Sequence, residues 1–450
     1  MRKNKTIQKH IKGELYGSPM VFYGEKIEKN NIFDILVQIY RKKITFCKII
    51  FVKVLQLATF CDTLFIENGG DYMLKSYEVS NFKSFKQRTF FDFSKTNYQI
   101  LLNTNVIEDT LKGIMFVGAN ASGKSNSIAP IKFLLDCLFG KNDIRFDPYM
   151  CLFSENPVLE LKYNFLINNS EIKYEIRYQR IDKIIYENLF VDHNEILTRE
   201  GSVATVCISD QIVHTDIPQD LLFLRDVYFS TKFRGNDTLQ KWFEFLSNSV
   251  YLDIFHTRII PYNNEDLSLK VFMEDEGADK FNKFFDEYNF GHHIEYDKKS
   301  TGNIISVEAP EKMIYFKRVG IDEPIPYVLE SLGNRNLLHL LPAFFHCINN
   351  NSMLLLDEFS SGFHNELEEL LIRYFMKNSQ HSQLIFVSHS TNLLSNSLLR
   401  PDQIYSVDFD KNGSHIKRFS SEQPRIAQNL EKMYLGGVFN GVPQYERKDK

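Results

Sequence analysis

The chain has 450 residues, and its 53 Lys and Arg against 57 Asp and Glu give a formal net charge of −4 at pH 7. This balance excludes a strongly basic nucleic-acid coat and an acidic tail protein, although a local basic groove stays possible. The six cysteines include no C-x-x-C pair, which favours reduced thiols over a disulfide framework or a zinc site. No apolar stretch reaches the roughly 20 residues of a membrane span, so we expect a cytoplasmic protein with no membrane partner.

Residues 1–72 differ from the rest of the chain in charge. They carry 12 Lys and Arg against 7 Asp and Glu, whereas the remainder carries 41 against 50. Their apolar run lacks caps and turn residues, so we expect a poorly structured extension. Gly69 to Tyr72 can be encoded by a bacterial ribosome-binding sequence ahead of Met73, which suggests Met73 as the true start. The alternative is a genuine basic arm; if Met73 is the start, removing 1–72 leaves folding unchanged.

The first chemical motif spans residues 118–125, where the chain matches the pattern G-x-x-x-x-G-K-[ST]. The apolar run 114–117 precedes it and apolar residues at helical spacing follow between 128 and 138, so we predict a strand, a loop and a helix. A glycine-rich loop lets backbone N–H groups surround a polyphosphate. Lys124 would reach the β/γ-phosphates, and the Ser125 hydroxyl would bind Mg²⁺. The motif therefore predicts a nucleoside triphosphate site made by Gly118, Asn120, Ala121, Ser122, Gly123, Lys124, Ser125 and Asn126.

The remaining elements divide the chain into three predicted parts. Alternating apolar residues from 159 to 178, interrupted by Asn168-Asn169-Ser170, predict a half-buried antiparallel hairpin in a first lobe at 73–192. Helical spacing around Trp242 and Phe284 predicts a mostly helical inserted subdomain at 193–320. A C-terminal α/β lobe is expected at 321–450.

Two apolar strands in the C-terminal lobe end in polar residues. The run 352–356 leads into Asp357 and Glu358, and the run 383–387 leads into Ser388 and His389. Ligands bind at the carboxyl ends of parallel strands. Asp357 would hold Mg²⁺, Glu358 would act as the general base, and His389 would sense the γ-phosphate. The alternatives are an acidic N-cap for the carboxylates and a structural histidine.

A third feature is the helix start at Glu330 to Asn336, which opens an apolar helix. Ser331 and Gly333 would place backbone N–H groups at a helix N-terminus, where anions bind.

In this order, the motifs resemble those of the ABC/SMC-type ATPases. The segments 73–85, 398–405 and 429–443 are similar to those of stand-alone prokaryotic AAA ATPases that include the RloA-like and AbiL-type abortive-infection proteins of phage defence. The resemblance implies a P-loop NTPase of ABC/SMC-head type, an α/β fold with a mixed sheet, an antiparallel β lobe and the inserted helical subdomain. It also implies ATP and Mg²⁺ as cofactors and a homodimer, or a higher oligomer, in which Ser331 and Gly333 of one subunit cap the γ-phosphate held by the other. The segment Ser360 to His364 resembles the D-loop. No Gln-loop residue is assigned, and residues 145–150 occupy the region where one is expected.

Three functions are compatible with these features. The preferred one is an ATP-driven dimerisation switch in phage defence that acts with a separately encoded effector, a step that rests on family analogy. The second is a DNA-repair or DNA-tethering ATPase that binds nucleic acid directly. An ABC transporter subunit is disfavoured, because the gap between Gly123 and Ser331 is longer than a compact transporter cassette has.

Overall fold

Two sheets hold most of the strands in the part of the chain that the structure describes. The structure is a computed structural model that describes residues 72–442 apart from 142–144, 209 and 362, so the prediction for residues 1–71 lies outside the described residues. In chain order the strands are β1 (Tyr72–Ser80), β2 (Thr89–Asp92), β3 (Val106–Ile107), β4 (Thr110–Leu111), β5 (Gly113–Gly118), β6 (Val158–Ile167), β7 (Ser170–Gln179), β8 (Ile184–Val191), β9 (Asn194–Glu200), β10 (Val203–Cys207), β11 (Gln211–His214), β12 (Val250–Asp253), β13 (Arg258–Pro261), β14 (His292–Thr301), β15 (Ser306–Arg318), β16 (Ile321–Pro326), β17 (Met353–Asp357), β18 (Gln383–Val387), β19 (Ile404–Asp410) and β20 (Gly413–Arg418). The α-helices are α1 (Leu102–Asn105), α2 (Lys124–Phe139), α3 (Phe223–Thr231), α4 (Asp237–Ser247), α5 (Leu269–Asp275), α6 (Asp279–Glu287), α7 (Leu332–Asn349), α8 (Asn365–Asn378) and α9 (Leu430–Leu435).

The central sheet has the strand order β13-β12-β17-β18-β5-β19-β20. Its inner strands pair in parallel, whereas the edge strands β13 and β20 are antiparallel to their neighbours. The three predicted apolar runs form β5, β17 and β18, and every residue of β5 and β18 is buried. A parallel sheet covered on both faces needs apolar residues at successive positions. The carboxyl ends of β5, β17 and β18 therefore lie together at one edge of the sheet.

Successive residues of these strands enter two different cores. Phe116 and Leu355 pack in a core that includes the apolar side of α2, and Val117 and Leu356 pack in a second core with α7 and α8. This alternation follows from the two-residue period of a strand. The P-loop helix is thus held on one face of the sheet and the helix that starts after Ser331 on the other.

The second large sheet is antiparallel, in the order β11-β10-β9-β8-β7-β6-β1-β2. The predicted hairpin is its β6–β7 pair, in which Tyr163 lies opposite Tyr174. Asn168 and Asn169 in its turn have φ values of 49° and 64°, a backbone conformation that two-residue hairpin turns require. The Tyr163 hydroxyl donates to the Pro130 carbonyl at 2.7 Å, so this sheet lies against α2. The mixed α/β fold with an antiparallel β lobe is therefore confirmed.

The predicted subdivision at 192 and 320 does not follow the structure. The first boundary falls inside the β8–β9 hairpin and the second between the paired strands β15 and β16. Residues 193–320 are also not mostly helical, since they form β9 to β15 as well as α3 to α6, and β12 joins the central sheet beside β17. The helical spacing was read correctly at α4 and α6. The strands were missed because β14 and β15 expose many polar residues, which hides their alternation. The described residues fall within one compact unit.

Within the described residues, no helix is both long enough and apolar enough to cross a bilayer.

A buried ion pair ties the start of β19 to the segment before α1. Arg400 and Asp402 are fully buried and contact each other at 2.7 Å. The Arg400 guanidinium also donates to the carbonyls of Tyr98 and Ile100, and the Asp402 carboxylate accepts from the Thr96 backbone and hydroxyl. Burial alone would raise the pKa of Asp402, but these hydrogen bonds hold it below its ordinary value.

Replacing Asp402 by Ala should lower the free energy of unfolding by about 3–5 kcal/mol, because Arg400 would remain buried without its carboxylate. Urea denaturation measures the loss. Adding Arg400→Met to Asp402→Ala should recover part of it, since the uncompensated charge is then removed. A single-variant loss below about 1 kcal/mol would show that the pair is not a structural anchor.

Candidate nucleotide site

The loop between β5 and α2 has the backbone that the glycine pattern predicts. Gly123 is the N-cap of α2 with a φ of 106°, and a Cβ atom there would collide with the Ser414 hydroxyl. A Cβ atom at Gly118 would collide with the Val407 carbonyl of the neighbouring strand β19. Only glycine satisfies both positions. The loop is therefore drawn tightly against the sheet, and the N-terminal N–H groups of α2 face its interior.

Lys124 is 5% exposed and donates a hydrogen bond to the Ala119 carbonyl at 2.7 Å. Its ammonium group is thus folded back over the loop that would cradle phosphates. Burial lowers the pKa of Lys124 to about 8, against the opposing effect of the Glu358 and Asp357 carboxylates. An anion in the loop would favour the charged form of this lysine.

Three groups hold the Asp357 carboxylate at the end of β17. The Ser125 hydroxyl donates to Oδ1 at 2.9 Å, the Glu358 N–H donates to the same oxygen at 3.1 Å, and the Tyr251 hydroxyl donates to Oδ2 at 3.3 Å. Burial raises the pKa of Asp357, and the Ser125 hydrogen bond opposes this rise. A hydroxyl and a carboxylate in contact are the hard oxygen donors that Mg²⁺ prefers. The pair therefore fits the predicted metal position.

Glu358 and His389 face each other across the same edge of the sheet. His389 Nε2 lies 3.6 Å from Glu358 Oε2, and both side chains are 35% exposed. Glu358 has a φ of 54°, which is unusual for a residue with a side chain and is the kind of strained backbone that occurs at functional sites. Burial lowers the pKa of His389, Lys124 lowers it further, and Glu358 opposes both. The histidine is therefore poised as a neutral group at neutral pH.

The predicted D-loop contacts the histidine strand. The His389 N–H donates to the Ser360 hydroxyl at 3.1 Å. His364 is the N-cap of α8. Ser360 is therefore in direct contact with the backbone of His389.

An open cavity of about 790 Å³ brings most of the predicted residues together. Its lining consists of Asn120, Ala121, Gly123, Lys124, Ser125, Asn126, Phe255, His256, Glu358 and His389. The predicted residues Gly118, Ser122 and Asp357 are not part of this lining. Ser122 is 2% exposed, and its carbonyl accepts from the Ser414 hydroxyl at 2.6 Å.

Three residues near this cavity were not predicted, namely Tyr251, Phe255 and His256. They lie on β12 or just after it, and β12 pairs with β17 so that Asp253 stands beside Asp357. His256 Nδ1 lies 2.7 Å from Asp253 Oδ2. Residues 145–150, which occupy the region expected for a Gln-loop, do not line the cavity, and Met150 instead bridges to Phe82. The signal that could have located β12 was the short apolar run Val250 to Leu252 ending in an aspartate.

Ser331 and Gly333 do not line this cavity. Ser331 is the N-cap of α7, and its hydroxyl accepts from the Asn334 N–H at 3.3 Å. The buried Glu330 carboxylate accepts from the Ser331 N–H at 2.7 Å and from Arg318 at 2.9 and 3.1 Å. Burial opposes ionisation, but these hydrogen bonds lower the pKa of Glu330. These hydrogen bonds hold the helix start in place, and it lies outside the lining of the cavity.

A family model described as "AAA domain, putative AbiEii toxin, Type IV TA system" matches residues 114–395. No curated protein matches the chain. Similar solved structures include the SMC head domain from Thermotoga maritima, at 17% identity and a TM-score of 0.43, covering 76% of this chain and 97% of that one. The Smc head domain of Pyrococcus furiosus bound to the C-terminal domain of ScpA is 13% identical with a TM-score of 0.43, and the match covers 77% of this chain and 96% of that one. The Smc head domain of Pyrococcus yayanosii is 12% identical with a TM-score of 0.43, and the match covers 82% of this chain and 99% of that one.

The matched residues run from the strand before the P-loop to the segment after His389, and so include Lys124, Asp357 and Glu358. They make up more than half of the chain. The chain therefore belongs to this AAA-domain family of P-loop ATPases.

Proposed function

We propose that this protein binds ATP with Mg²⁺ in the 790 Å³ cavity and hydrolyses it. The observation that carries the proposal is the convergence of Lys124, the Ser125–Asp357 pair, Glu358 and His389 from three separate strands on one site. Each is the residue type that phosphoryl transfer to water needs. The residues present fit the cofactors, because a glycine loop that excludes side chains lies beside two hard oxygen donors.

Each residue has a distinct role in this proposal. Ser125 and Asp357 hold Mg²⁺, which when bound supplies charge neutralisation at the phosphates. Lys124 places its ammonium group at the β/γ-phosphates. Glu358 accepts a proton from the attacking water, and His389, neutral because of burial and Lys124, donates a hydrogen bond near the γ-phosphate.

We further propose that the active unit is a dimer in which the α7 start of one copy covers the nucleotide of the other. Ser331 is exposed, and three apolar side chains around it are exposed as well, with Val328 at 62%, Leu329 at 75% and Leu332 at 63%. Large apolar side chains grouped on a surface mark interaction sites. The N–H groups at this helix start and the apolar rim together suit a partner's triphosphate and its surrounding surface.

Replacing Ser331 by Arg tests this dimer. ATP binding by separate subunits should persist, whereas ATP-dependent association and hydrolysis should be lost, because the bulky cation would collide with the partner's nucleotide. Calorimetry measures binding, and light scattering with and without ATP measures association. Ser202→Arg places the same substitution on an exposed turn of the antiparallel sheet and should change neither. Wild-type hydrolysis by Ser331→Arg would rule out the nucleotide sandwich.

The biological role that we propose is phage defence by a cytoplasmic ATPase that controls a separately encoded effector. This step is supported by the resemblance to RloA-like and AbiL-type ATPases and by the words "putative AbiEii toxin" in the family description. Plating of phage on cells that carry this gene with and without its neighbouring reading frame tests it. Protection that needs both genes and is lost with Glu358→Gln would support the role, and protection unaffected by either change would contradict it.

A further inference from the structure

A second cavity, of about 820 Å³, lies beside the C-terminal half of α2 and the edge strand β13. It is separate from the nucleotide cavity, although the two are neighbours. Tyr251 stands between them, since its hydroxyl contacts Asp357 and its ring lies 5.0 Å below the Lys132 ammonium group. The residues around the second cavity that carry charge are Lys132, Asp136, Lys141, Arg145 and Arg258.

The second cavity, called the basic cavity below, has more positively than negatively charged side chains in its described lining. Among the described residues of its lining, Asp136 is the one that is acidic, and both of its oxygens are engaged, Oδ2 by Lys132 at 2.5 Å and Oδ1 by the Tyr262 hydroxyl at 2.9 Å. Lys141, Arg145 and Arg258 are exposed, and they form no ion pair with any carboxylate that the structure describes. Within the described part of the chain, three cations therefore line this cavity without a paired carboxylate, on a body that is acidic as a whole, with 41 basic against 50 acidic residues after position 72.

The C-terminal end of α2 also borders the basic cavity and would ordinarily repel an anion. Here the Arg225 guanidinium covers that end, since Nη1 donates to the carbonyls of Leu138 at 3.0 Å and Gly140 at 2.8 Å. The negative pole of the helix is thereby neutralised from the side. Among the described groups, the helix end is thus paired with Arg225, and Asp136 is paired with Lys132 and Tyr262.

We propose that the basic cavity binds phosphate groups, at a site distinct from the nucleotide site. The guanidinium groups of Arg145 and Arg258 offer the forked donors that phosphate oxygens accept, and Lys141 adds a mobile ammonium group. A volume of about 820 Å³ accommodates several phosphates of a free polyphosphate or of a nucleic-acid strand passing through. Phosphate binding here does not depend on ATP hydrolysis.

The experiment uses the full chain carrying Lys124→Ala, so that the P-loop contributes little. Calorimetry with inorganic triphosphate and fluorescence anisotropy with a labelled 20-nucleotide single strand are the two arms. The test variant adds Lys141→Glu and Arg258→Glu, and its matched control adds Lys299→Glu and Lys411→Glu, which change the net charge equally at exposed sites elsewhere. We expect the test variant, and not the control, to lose binding by about tenfold or more, with the salt slope for the strand falling by about 1.4.

The two arms distinguish the source of the phosphate. If the strand binds and triphosphate displaces it, the site is assigned to nucleic acid. If triphosphate binds and the strand does not, the site is assigned to a free polyphosphate. Both outcomes support the proposal. Absence of binding in both arms, or equal losses in test and control variants, would overturn it. If the charge reversal lowers the melting temperature, Lys141→Gln with Arg258→Gln replaces it and should still weaken binding. Because the test and control variants both carry Lys124→Ala, the difference between them reports on the basic cavity even if the P-loop does not bind ATP.

Discussion

Replacing Glu358 by Gln is expected to slow ATP hydrolysis by about 10²–10⁴-fold while ATP binding stays intact. The carboxylate lines the nucleotide cavity and points toward His389, whereas Asp357 beside it is already engaged by Ser125 and Tyr251. Glutamine keeps the size and the hydrogen-bonding capacity but cannot accept the proton of the attacking water. The nucleotide should therefore stay bound, and the dimer should accumulate. Steady-state phosphate release measures turnover, and calorimetry measures binding.

Glu366→Gln is the matched control for this variant. Glu366 is exposed in the first turn of α8, a few residues along the same segment, and the substitution removes the same charge. It should leave turnover at the wild-type level. If Glu358→Gln turns over within a few-fold of wild type, the general base is another group, and His256 beside Asp253 would be the next to test.

The elements that the sequence predicted well are those whose signal is local. The apolar runs of β5, β17 and β18 are each continuous and are each followed by polar residues at the carboxyl end. Each run forms a buried parallel strand. Because the carboxyl ends of neighbouring parallel strands lie at the same edge of a sheet, the strand order brings Lys124, Glu358 and His389 close together. Even the β6–β7 hairpin is local, since its turn residues lie between its two strands.

The parts that could not be predicted depend on pairing between distant segments. Val250 of β12 lies opposite Leu354 of β17, about a hundred residues later, and nothing in the short run Val250 to Asp253 specifies that partner. Tyr251 and His256 were missed for this reason, as they reach the site only through that pairing. The same long-range pairing makes the boundaries at 192 and 320 wrong, since hairpins cross both of them. Periodicity identifies a strand but does not identify its neighbour.

For Ser331, the sequence predicts the position in the fold but not the contact that the residue makes. The helix start was placed correctly, as the N-cap of α7, but its predicted action needs a second copy of the chain. A single chain shows that Ser331 lies outside the lining of its own cavity and that apolar residues surround it. Whether the two copies meet there is decided by the Ser331→Arg experiment.

Replacing Lys124 by Ala is expected to abolish ATP binding at micromolar concentrations. Among the described residues that line the nucleotide cavity, Lys124 is the one lysine or arginine. Its Nζ is held 2.7 Å from the Ala119 carbonyl within the loop, and the described lining offers no second lysine or arginine to replace it at the β/γ-phosphates. Calorimetry with ATP and Mg²⁺ measures the loss, and an unchanged melting temperature would show that the variant is folded. Retained micromolar affinity would contradict the P-loop assignment.

The pH dependence of ATP binding gives the same residue a second test. Burial lowers the pKa of Lys124 to about 8, so without ATP the side chain is charged below that pH and becomes neutral above it. Phosphates stabilise the ammonium form, and ATP binding above pH 8 must therefore take up a proton. We expect the wild-type affinity to be constant below about pH 7.5 and to fall as the pH rises through 8 and beyond. Lys124→Arg, whose guanidinium stays charged, should lack this fall even if its affinity is weaker throughout. A wild-type affinity that does not change between pH 7 and 9.5 would mean that the ammonium group of Lys124 does not contact the phosphates.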